Sequence, residues 1–299
     1  MKLCPVCAST ITPEFLERCD NFTINRCPDC DVIFSDPMTN PGASWYESSE
    51  MYAVGRFCNI DNGWHHKQFL DDAETYGKRL LDVGCGTGVF LKEANKKGYE
   101  VCGLDFDKKN VKIAKARYGI ENIYTATISG IARDFSGESF DVITFFEVLE
   151  HLESPVSFIN EIKAILAPGG YIALSLPNRE RTLDFLGDAD YPPNHLTKWD
   201  KECLSSFLER NGFEVVKCLI KELDSNEVVA YLKHKIRFGI AKSIARRGID
   251  SKDERDIQKA AKLLMMKDML FKIFSIIFKP VSLFSLQGTG LYMLARLKR

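Results

Sequence analysis

Four cysteines near the start of the chain form two close pairs with the spacing of metal ligands. They are Cys4, Cys7, Cys27 and Cys30. Each C-x2-C pair can present two thiolates to one tetrahedral ion, and four cysteine ligands leave no open position for chemistry. The pattern predicts a structural zinc site that closes a module too small for a core of its own. The alternatives are knuckles that no longer hold metal and a nucleic-acid-binding ribbon, which would carry more basic residues.

A glycine-rich turn follows a short apolar strand predicted over residues 80–83. Gly84, Gly86 and Gly88 lead from this strand into a predicted helix. Glycines allow the backbone to approach a ligand closely at the carboxyl end of a strand. Asp82 precedes the turn, where its carboxylate could meet the cationic amine of an amino acid.

A second predicted strand, residues 101–105, ends in Asp105, which follows Gly84 by 21 residues. A carboxylate at this position can accept hydrogen bonds from both hydroxyls of a ribose. A dinucleotide site would need the pattern G-x-G-x-x-G, but the third position holds Val89 or Leu91, depending on the starting glycine. The turn therefore favours an adenosine ligand without a diphosphate.

Four ordered motifs make the chain resemble the class I S-adenosylmethionine (SAM)-dependent methyltransferases. Residues 81–88 resemble their motif I, and residues 103–105 resemble their motif II. Residues 139–152 resemble their fourth strand and the loop after it, and residues 166–175 resemble the entry to their fifth strand. The agreement extends over residues 65–220. Cysteine pairs followed by a proline-rich connector and this core are similar to a branch that includes sugar and polysaccharide-pathway methyltransferases.

This resemblance implies an α/β fold, a Rossmann-like seven-stranded class I methyltransferase sheet that is mostly parallel. A zinc-ribbon-like module precedes it and a helical insertion interrupts its carboxyl-terminal part. The expected domains are a zinc-binding module over 1–35, a connector over 36–66, a SAM-binding core over 67–220, a helical insertion over 221–289 and a last strand over 290–299. The connector is rich in aromatic residues, and it could either fold over a ligand or pack between modules.

The resemblance also implies which residues surround SAM. The candidates are Asp82, Gly84, Cys85, Gly86, Gly88, Asp105, Phe106 and Glu147. Asp105 would bind the ribose and Phe106 would lie against adenine. Many family members have an acid after the third strand that binds adenine N6, but residues 124–130 contain none. Residues 121–135 are therefore expected to line the adenine side of the pocket.

The candidate catalytic residues are His151, Glu150 and His195. His151 follows the fourth predicted strand, and an imidazole with a reference pKa of about 6.5 suits a general base. Glu150 could orient this histidine or bind acceptor hydroxyls, unless the Glu-His pair only shapes the loop. His195 belongs to a His-Leu pair that the family commonly places near the acceptor, although it could simply lock its loop. Weaker polar candidates are Asn178, Tyr46 and Tyr52.

The expected function is methylation of a carbohydrate or a carbohydrate-linked acceptor. Quinone or lipid O-methylation is an alternative, because residues 147–151 also resemble quinone-pathway enzymes. Nucleic-acid methylation is disfavoured, because no Asn-Pro-Pro-Tyr type run follows the fourth strand and the body of the chain is acidic. A zinc-bearing scaffold that binds SAM without turnover is the non-enzymatic alternative.

The carboxyl-terminal part of the chain is basic and contains a strongly apolar stretch. Residues 233–299 carry 16 Lys and Arg against 5 Asp and Glu, whereas the whole chain carries 40 against 41. A helix predicted over residues 251–278 could contact a membrane surface through residues 265–285. It could equally bury its apolar face as a lid or in a homodimer.

The composition is that of a soluble globular protein, with 45% hydrophobic and 27% charged residues. The start of the sequence has no signal-peptide pattern, and no run of 18 apolar residues could span a bilayer. Ten cysteines without a disulfide-like arrangement favour a reducing compartment. We therefore expect a cytoplasmic protein, with peripheral membrane contact as the alternative.

Overall fold

The computed structural model describes most of the chain outside the predicted helical insertion. The described residues are 1–48, 63–71, 76–126, 131–137, 139–184, 186–232, 235 and 286–298. Tyr52, the helix predicted over 251–278 and the membrane-contact segment predicted over 265–285 lie outside the described residues.

Two small antiparallel sheets form the N-terminal module. Strands β1 and β2 pair with each other, and the second sheet has the order β11-β5-β4-β3. The strands are β1 (Lys2–Leu3), β2 (Thr10–Ile11), β3 (Glu14–Cys19), β4 (Phe22–Arg26), β5 (Ile33–Asp36) and β11 (Thr197–Lys198). Because β11 comes from far along the chain, the module's sheet is completed by the segment that carries His195.

A seven-stranded sheet forms the larger part of the fold, in the order β12-β13-β10-β9-β6-β7-β8. Its strands are β6 (Arg79–Val83), β7 (Glu100–Asp105), β8 (Ile123–Thr125), β9 (Phe140–Phe146), β10 (Leu166–Pro177), β12 (Phe213–Glu222) and β13 (Gln287–Leu297). Neighbouring strands from β8 to β10 pair in parallel, whereas β13 pairs with β10 antiparallel. The predicted mostly parallel, Rossmann-like sheet is confirmed.

Helices connect the parallel strands. The α-helices are α1 (Ala43–Ser48), α2 (Trp64–Leu70), α3 (Val89–Lys96), α4 (Lys108–Tyr118), α5 (Ile131–Asp134), α6 (Pro155–Ile165) and α7 (Lys201–Arg210). Short 3-10 helices span Leu149–His151 and Gly187–Asp190, and residues 225–232 are also helical. Ser154 is the N-cap of helix α6, because its hydroxyl accepts a hydrogen bond from the Ser157 amide. Pro155 follows as the first residue of the helix.

Strands β6 and β9 are buried along nearly their whole length, and β10 is buried from Ile172 to Leu176, which explains why these stretches are mostly apolar. Parallel strands share the direction of their carboxyl ends. The residues that follow β6, β7 and β9 therefore meet at one edge of the sheet, which is where ligands bind in folds of this kind. This edge receives the glycine turn, Asp105 and the segment from Glu147 to His151.

A second compact unit comprises residues 180–188 and 220–289, of which the structure describes only a part. Within it the Gln287 amide donates to the Thr182 hydroxyl, and the Thr289 amide donates to Glu227, whose carboxylate also pairs with Lys221. The predicted domain boundaries remain predictions. Among the described residues, no helix has the length and apolarity needed to cross a membrane.

Candidate functional site

The turn between β6 and α3 exposes its backbone at the carboxyl edge of the sheet. Gly84, Gly86 and Gly88 have φ angles of 80°, 52° and 78°, which residues with a Cβ rarely adopt. A Cβ on Gly84 would lie 2.7 Å from the Val148 side chain, whereas one on Gly86 would meet no atom within 4 Å. The backbone at Gly86 therefore borders open space, as a turn that receives a ligand requires.

Asp82 lies beneath this turn and is buried. The Thr144 hydroxyl donates a 2.7 Å hydrogen bond to its Oδ1 atom. Burial raises the pKa of Asp82 to about 7, and the nearby Asp105 carboxylate adds to this effect. A cationic group bound here would lower that pKa, and the predicted partner of Asp82, the ammonium of an amino acid, is such a group.

Asp105 holds the glycine turn from the neighbouring strand. Its Oδ2 accepts the Gly86 amide at 2.8 Å, and its Oδ1 accepts the Asp107 amide and the Asn110 side chain. Burial raises the pKa of Asp105. A carboxylate offers about four acceptor sites, so one remains for a ribose hydroxyl after these three bonds.

Cys85 and Phe106, two further predicted cofactor contacts, differ in whether their side chains can reach a ligand. Cys85 is buried, and its sulfur lies where a Cβ on Gly103 would approach it to 2.9 Å. Only the backbone of Cys85 can therefore contact a ligand in this arrangement. Phe106 is partly exposed, and its ring lies 5.1 Å from the ring of Tyr46 in helix α1. The connector thus brings the Tyr46 ring between Phe106, on the predicted adenine side, and His151.

Glu147 leaves strand β9 in a left-handed conformation, with a φ angle of 55°. Its amide donates to the Ser175 carbonyl at 2.9 Å, and the Ser175 hydroxyl donates to its Oε1 at 2.7 Å. These two bonds to strand β10 hold an exposed carboxylate at the sheet edge. An unfavourable φ that is held in place in this way is often found at functional sites.

Glu150 is a buried carboxyl group, with 1% of its surface exposed. Neither of its carboxyl oxygens has a hydrogen-bond partner among the described residues. Burial raises its pKa far above the usual range, and the carboxylates of Glu147 and Asp190 raise it further. An unpartnered buried carboxyl group is costly, so this position is suited to receive a polar ligand atom.

His151 is oriented by a backbone carbonyl. Its Nδ1 lies 2.6 Å from the Asn194 oxygen, so Nδ1 carries the proton and Nε2 carries the lone pair. Nε2 lies 3.9 Å from the Glu150 Oε1 atom. Burial lowers the pKa of His151 to about 3, and His195 adds to this effect. The ring is therefore neutral at physiological pH.

His195 lies beside His151, with 4.8 Å between the ring centroids. Its Nδ1 lies 2.9 Å from the Asp190 Oδ1 atom, and Lys198 Nζ lies 3.3 Å from Asp190 Oδ2. The structure therefore brings together the three predicted catalytic residues. A ligand atom of Glu150, one of His151 and one of His195 all lie within 4.8 Å of one another, close enough to share a polar ligand or a cation.

The remaining polar candidates have structural contacts. Tyr46 lies 5.9 Å from the His151 ring, and its hydroxyl accepts a hydrogen bond from Asn40, which also donates to the His151 carbonyl. Burial raises the pKa of Tyr46 to about 12. Asn178 is buried and forms a bridge with Trp199.

Helix α2 packs the end of the connector against the core. His65 stacks on Phe146 at 5.1 Å, and His66 stacks on Phe90 at 5.0 Å. Burial lowers the pKa of both imidazoles, that of His66 to about 3. These contacts favour the packing interpretation of this part of the connector.

Asp190 and Lys198 were not among the predicted site residues. Asp190 begins the proline-rich loop that carries His195, and Lys198 lies in β11 just after that loop; only the folded structure shows that the two form a chain of contacts with His195. The signal in the sequence was weak, because an acid five residues before a histidine is common in loops.

The four predicted metal ligands converge in the N-terminal module. Their sulfur atoms all lie within 4.8 Å of one another, and the Cys4–Cys30 and Cys7–Cys27 sulfur pairs are each 3.7 Å apart. A zinc–sulfur bond of about 2.3 Å places tetrahedral sulfurs about 3.8 Å apart. A disulfide would need about 2.05 Å. The geometry therefore fits one tetrahedral cation.

The module also contacts the loop that carries His195. The Ser35 amide donates to the Leu196 carbonyl at 2.8 Å, and β5 pairs with β11 directly after it. The Tyr191 hydroxyl donates to Glu17 at 2.8 Å. The sheet of the cysteine module therefore includes β11, and hydrogen bonds join it to the loop that carries His195.

The sheet order, the glycine turn and the two buried acids define an α/β domain of the class I methyltransferase type. A profile of the methyltransferase domain family matches residues 63–218. The chain belongs to this methyltransferase domain family. The structure of a SAM-dependent methyltransferase from Archaeoglobus fulgidus superimposes with a TM-score of 0.51 at 16% identity, over 83% of this chain and 100% of that one.

Curated relatives match a shorter region. A ubiquinone biosynthesis O-methyltransferase from Vibrio parahaemolyticus is 35% identical over 107 residues, which is 35% of this chain and 46% of that protein. The corresponding protein of Aliivibrio fischeri is 34% identical over the same length. The chain thus spans about half the length of the curated relatives it matches.

Proposed function

We propose that this chain is a SAM-dependent methyltransferase that transfers the methyl group to a hydroxyl oxygen. The observation that carries this proposal is the pair of adjacent histidines, His151 and His195, beside the unpartnered carboxyl of Glu150. A hydroxyl acceptor must lose a proton during methyl transfer, and a neutral imidazole within reach can take it.

The residues at the sheet edge fit SAM as the methyl donor. The open space at Gly86 lets SAM approach the backbone of the turn closely. The buried Asp82, with its raised pKa, suits the ammonium of SAM. The acceptor site that remains on Asp105 suits a hydroxyl of the ribose. When bound, SAM supplies an electrophilic methyl group on a sulfonium. The chain then has to hold the acceptor oxygen in line with this methyl group, and such alignment supplies much of the rate.

Two acceptor classes remain, and different observations support them. The names of the Vibrio and Aliivibrio relatives favour a hydroxyl on a quinone precursor. The carbohydrate acceptor is supported by the resemblance of the cysteine pairs, connector and core to sugar-pathway enzymes. The proposed membrane contact through residues 265–285 would suit a lipid-linked acceptor of either class. A homodimer formed through the same segment would suit a water-soluble acceptor.

The acceptor test uses methyl-labelled SAM with two probes, 3,4-dihydroxybenzoate and a nucleotide-linked hexose, followed by whole-cell extract. Label on the dihydroxybenzoate, or in the organic phase of the extract, would support the quinone-precursor class. Label on the hexose would support the carbohydrate class. SAM binding without label in any fraction would contradict the proposed activity and favour a scaffold. A His151→Gln, His195→Gln double variant controls for label transfer that does not depend on the site.

We also propose that the four cysteines hold a structural zinc ion. Its support is the agreement of the sulfur separations with a tetrahedral ion. Elemental mass spectrometry of purified protein should find one zinc per chain, and Cys27→Ser should lose it. Cys19→Ser is the matched control, because Cys19 lies in β3 of the same module outside the cluster. Equal zinc content in both variants would contradict the site.

A further inference from the structure

The segment after strand β10, which ends with β11, contains a carboxylate and a lysine that the proposed function does not yet use. Asp190 is buried, and its two oxygens contact different partners. One oxygen lies 2.9 Å from His195 Nδ1, and the other lies 3.3 Å from Lys198 Nζ. His195, Asp190 and Lys198 therefore form a continuous chain of contacts, and His195 lies beside His151.

The two histidines of the site differ in the group that accepts their Nδ1 proton. His151 donates to the neutral carbonyl of Asn194, whereas His195 faces the carboxylate of Asp190. Both arrangements leave the lone pair on Nε2. Only the carboxylate, however, can stabilise the positive charge that the ring acquires when it takes a proton.

Lys198 pairs with the second oxygen of the Asp190 carboxyl group. Its ammonium contacts Asp190 and lies 3.8 Å from the centroid of the Tyr191 ring. Lys198 belongs to β11, and its register is set by pairing with Ile33 of β5. The sheet therefore sets the backbone position from which Lys198 reaches Asp190, and Asp190 itself ends the 3-10 helix Gly187–Asp190.

The other ionisable groups that face this chain are Glu150, His151 and, further away, Glu147. Burial raises the pKa of Glu150 and lowers the pKa of His151, so burial favours the neutral form of both. Asp190 is the carboxyl group that lies within hydrogen-bond distance of a site histidine among the described residues.

We propose that His195 is the base that takes the acceptor's proton and that Asp190 is its positioning residue. This inference rests on the proposed O-methyl transfer. The acceptor O–H bond breaks and its proton goes to Nε2 of His195. The acceptor oxygen forms the new bond to the methyl carbon, and the electron pair of the broken carbon–sulfur bond stays on sulfur. The proton of His195 is later released to water.

The first test observes the proton on His195 directly and needs no acceptor. Protein labelled with 15N-histidine has five histidines, and the His195→Gln variant assigns the signal of interest. We expect the Nδ1–H tautomer in the wild type. In Asp190→Asn the amide can donate to Nδ1 instead, so the proton should move to Nε2. Asp190→Glu should restore the wild-type tautomer, and SAM affinity reports whether each variant is folded.

The second test separates positioning from binding. With the probe that is labelled in the acceptor test, Asp190→Asn should lower kcat by a factor of about 100 or more. The KM for SAM should change less than about twofold. Asp190→Glu should recover part of the lost kcat. Glu202→Gln is the matched control, because it removes an exposed carboxylate on α7, and it should leave kcat unchanged.

Three outcomes would overturn the inference. The first is an Asp190→Asn variant with the wild-type tautomer, and the second is one whose kcat is unchanged. The third is a wild-type protein that EDTA inactivates and Mg²⁺ restores, because Glu150, His151 and His195 would then bind a cation. A wild type that binds SAM and methylates nothing would instead contradict the proposed function, while the tautomer measurement would still decide the Asp190–His195 pairing.

Discussion

The donor side and the acceptor side of this site are built in different ways. The donor side, residues 82–106, is one continuous strand-turn-helix-strand segment whose functional groups are backbone atoms and two buried acids. The acceptor side combines Tyr46, residues 147–151 and residues 190–198 with a sheet strand from the cysteine module. On the proposed function, we expect SAM binding to depend on local backbone geometry and acceptor chemistry to depend on contacts between distant segments.

The largest expected effect comes from disrupting the cysteine module, which should disturb the acceptor side and leave the donor side intact. Cys27→Ser should unfold the module, because structural zinc contributes about 10–16 kcal/mol of apparent folding free energy in zinc-finger peptides. Residues 14–36 and 190–198 should then exchange their amide hydrogens rapidly, since β5 would no longer pair with β11. SAM affinity should change less than about threefold. Hydrogen-exchange mass spectrometry and calorimetry measure both, with Cys19→Ser as the control.

A loss of SAM affinity that equals the loss of protection in residues 190–198 would contradict the independence of the two sides. It would mean that the module supports the whole site, donor side included.

The next effect concerns the buried acid of the donor side. Asp82 has a folded pKa of about 7, above its unfolded value of 3.8, so the native state binds the extra proton between these two values. The free energy of unfolding should therefore fall as pH rises from about 4 to about 7, by up to about 4 kcal/mol from this group. Asp82→Asn should remove this contribution.

Urea denaturation of both proteins at pH 5 and pH 7 measures the effect. The difference between the two proteins is the quantity of interest, because Glu150 and Asp105 titrate in the same direction in both. An equal loss of stability in wild type and variant would show that Asp82 is ionised throughout.

A glycine substitution tests whether the donor side is formed by backbone atoms. Gly86→Ala should weaken SAM binding by about tenfold, because the new methyl group would occupy the open space beside the turn. Gly119→Ala is the matched control. It has a similar φ of 65° and open space around its Cβ, but it ends helix α4 far from the turn.

Both glycine variants should lose about 1 kcal/mol of folding stability from the left-handed backbone. Calorimetric titration with SAM should distinguish them. If Gly119→Ala weakens binding as much as Gly86→Ala, backbone strain and not the lost space would be responsible.

The smallest expected effect concerns the aromatic residue of the acceptor side. Tyr46→Phe removes the hydroxyl that accepts from Asn40 and keeps the ring between Phe106 and His151. Tyr46→Phe should lower the free energy of unfolding by about 1 kcal/mol or less, and it should change the KM for the acceptor less than about threefold. Tyr46→Ala, which removes the ring, should raise this KM more. Steady-state kinetics with the labelled probe compare the two, and equal values would remove the ring from the acceptor pocket.

Much of the fold was predictable because its signals are local. The predicted strand 80–83 is observed as Arg79–Val83, the strand 101–105 as Glu100–Asp105, and the helix begins at Val89 as expected. Apolar runs of buried parallel strands and glycines with positive φ leave patterns that short-range physics explains. The cysteine pairs were readable for the same reason, since each C-x2-C turn is a local unit.

Less of the acceptor side could be predicted. His151, Glu150 and His195 were chosen separately, and nothing in their spacing shows that His195 faces a carboxylate while His151 faces a carbonyl. Asp190 and Lys198 were not chosen, because their relation depends on the register of β11 against β5. The connector's role was undecided, and packing of His65 and His66 against aromatic rings answered it only for that part.

The sequence by itself therefore determined the fold class, the glycine turn with Asp82 and Asp105, and the four cysteines. These features depend on backbone propensity, burial of apolar runs and ligand spacing within short segments. The tertiary structure decided how the two histidines differ, which carboxyl group is buried without a partner, and how the module joins the site. Those properties depend on burial and on contacts that the fold sets, from five residues apart for His195 and Asp190 to more than 100 for β5 and β11, which no local pattern encodes.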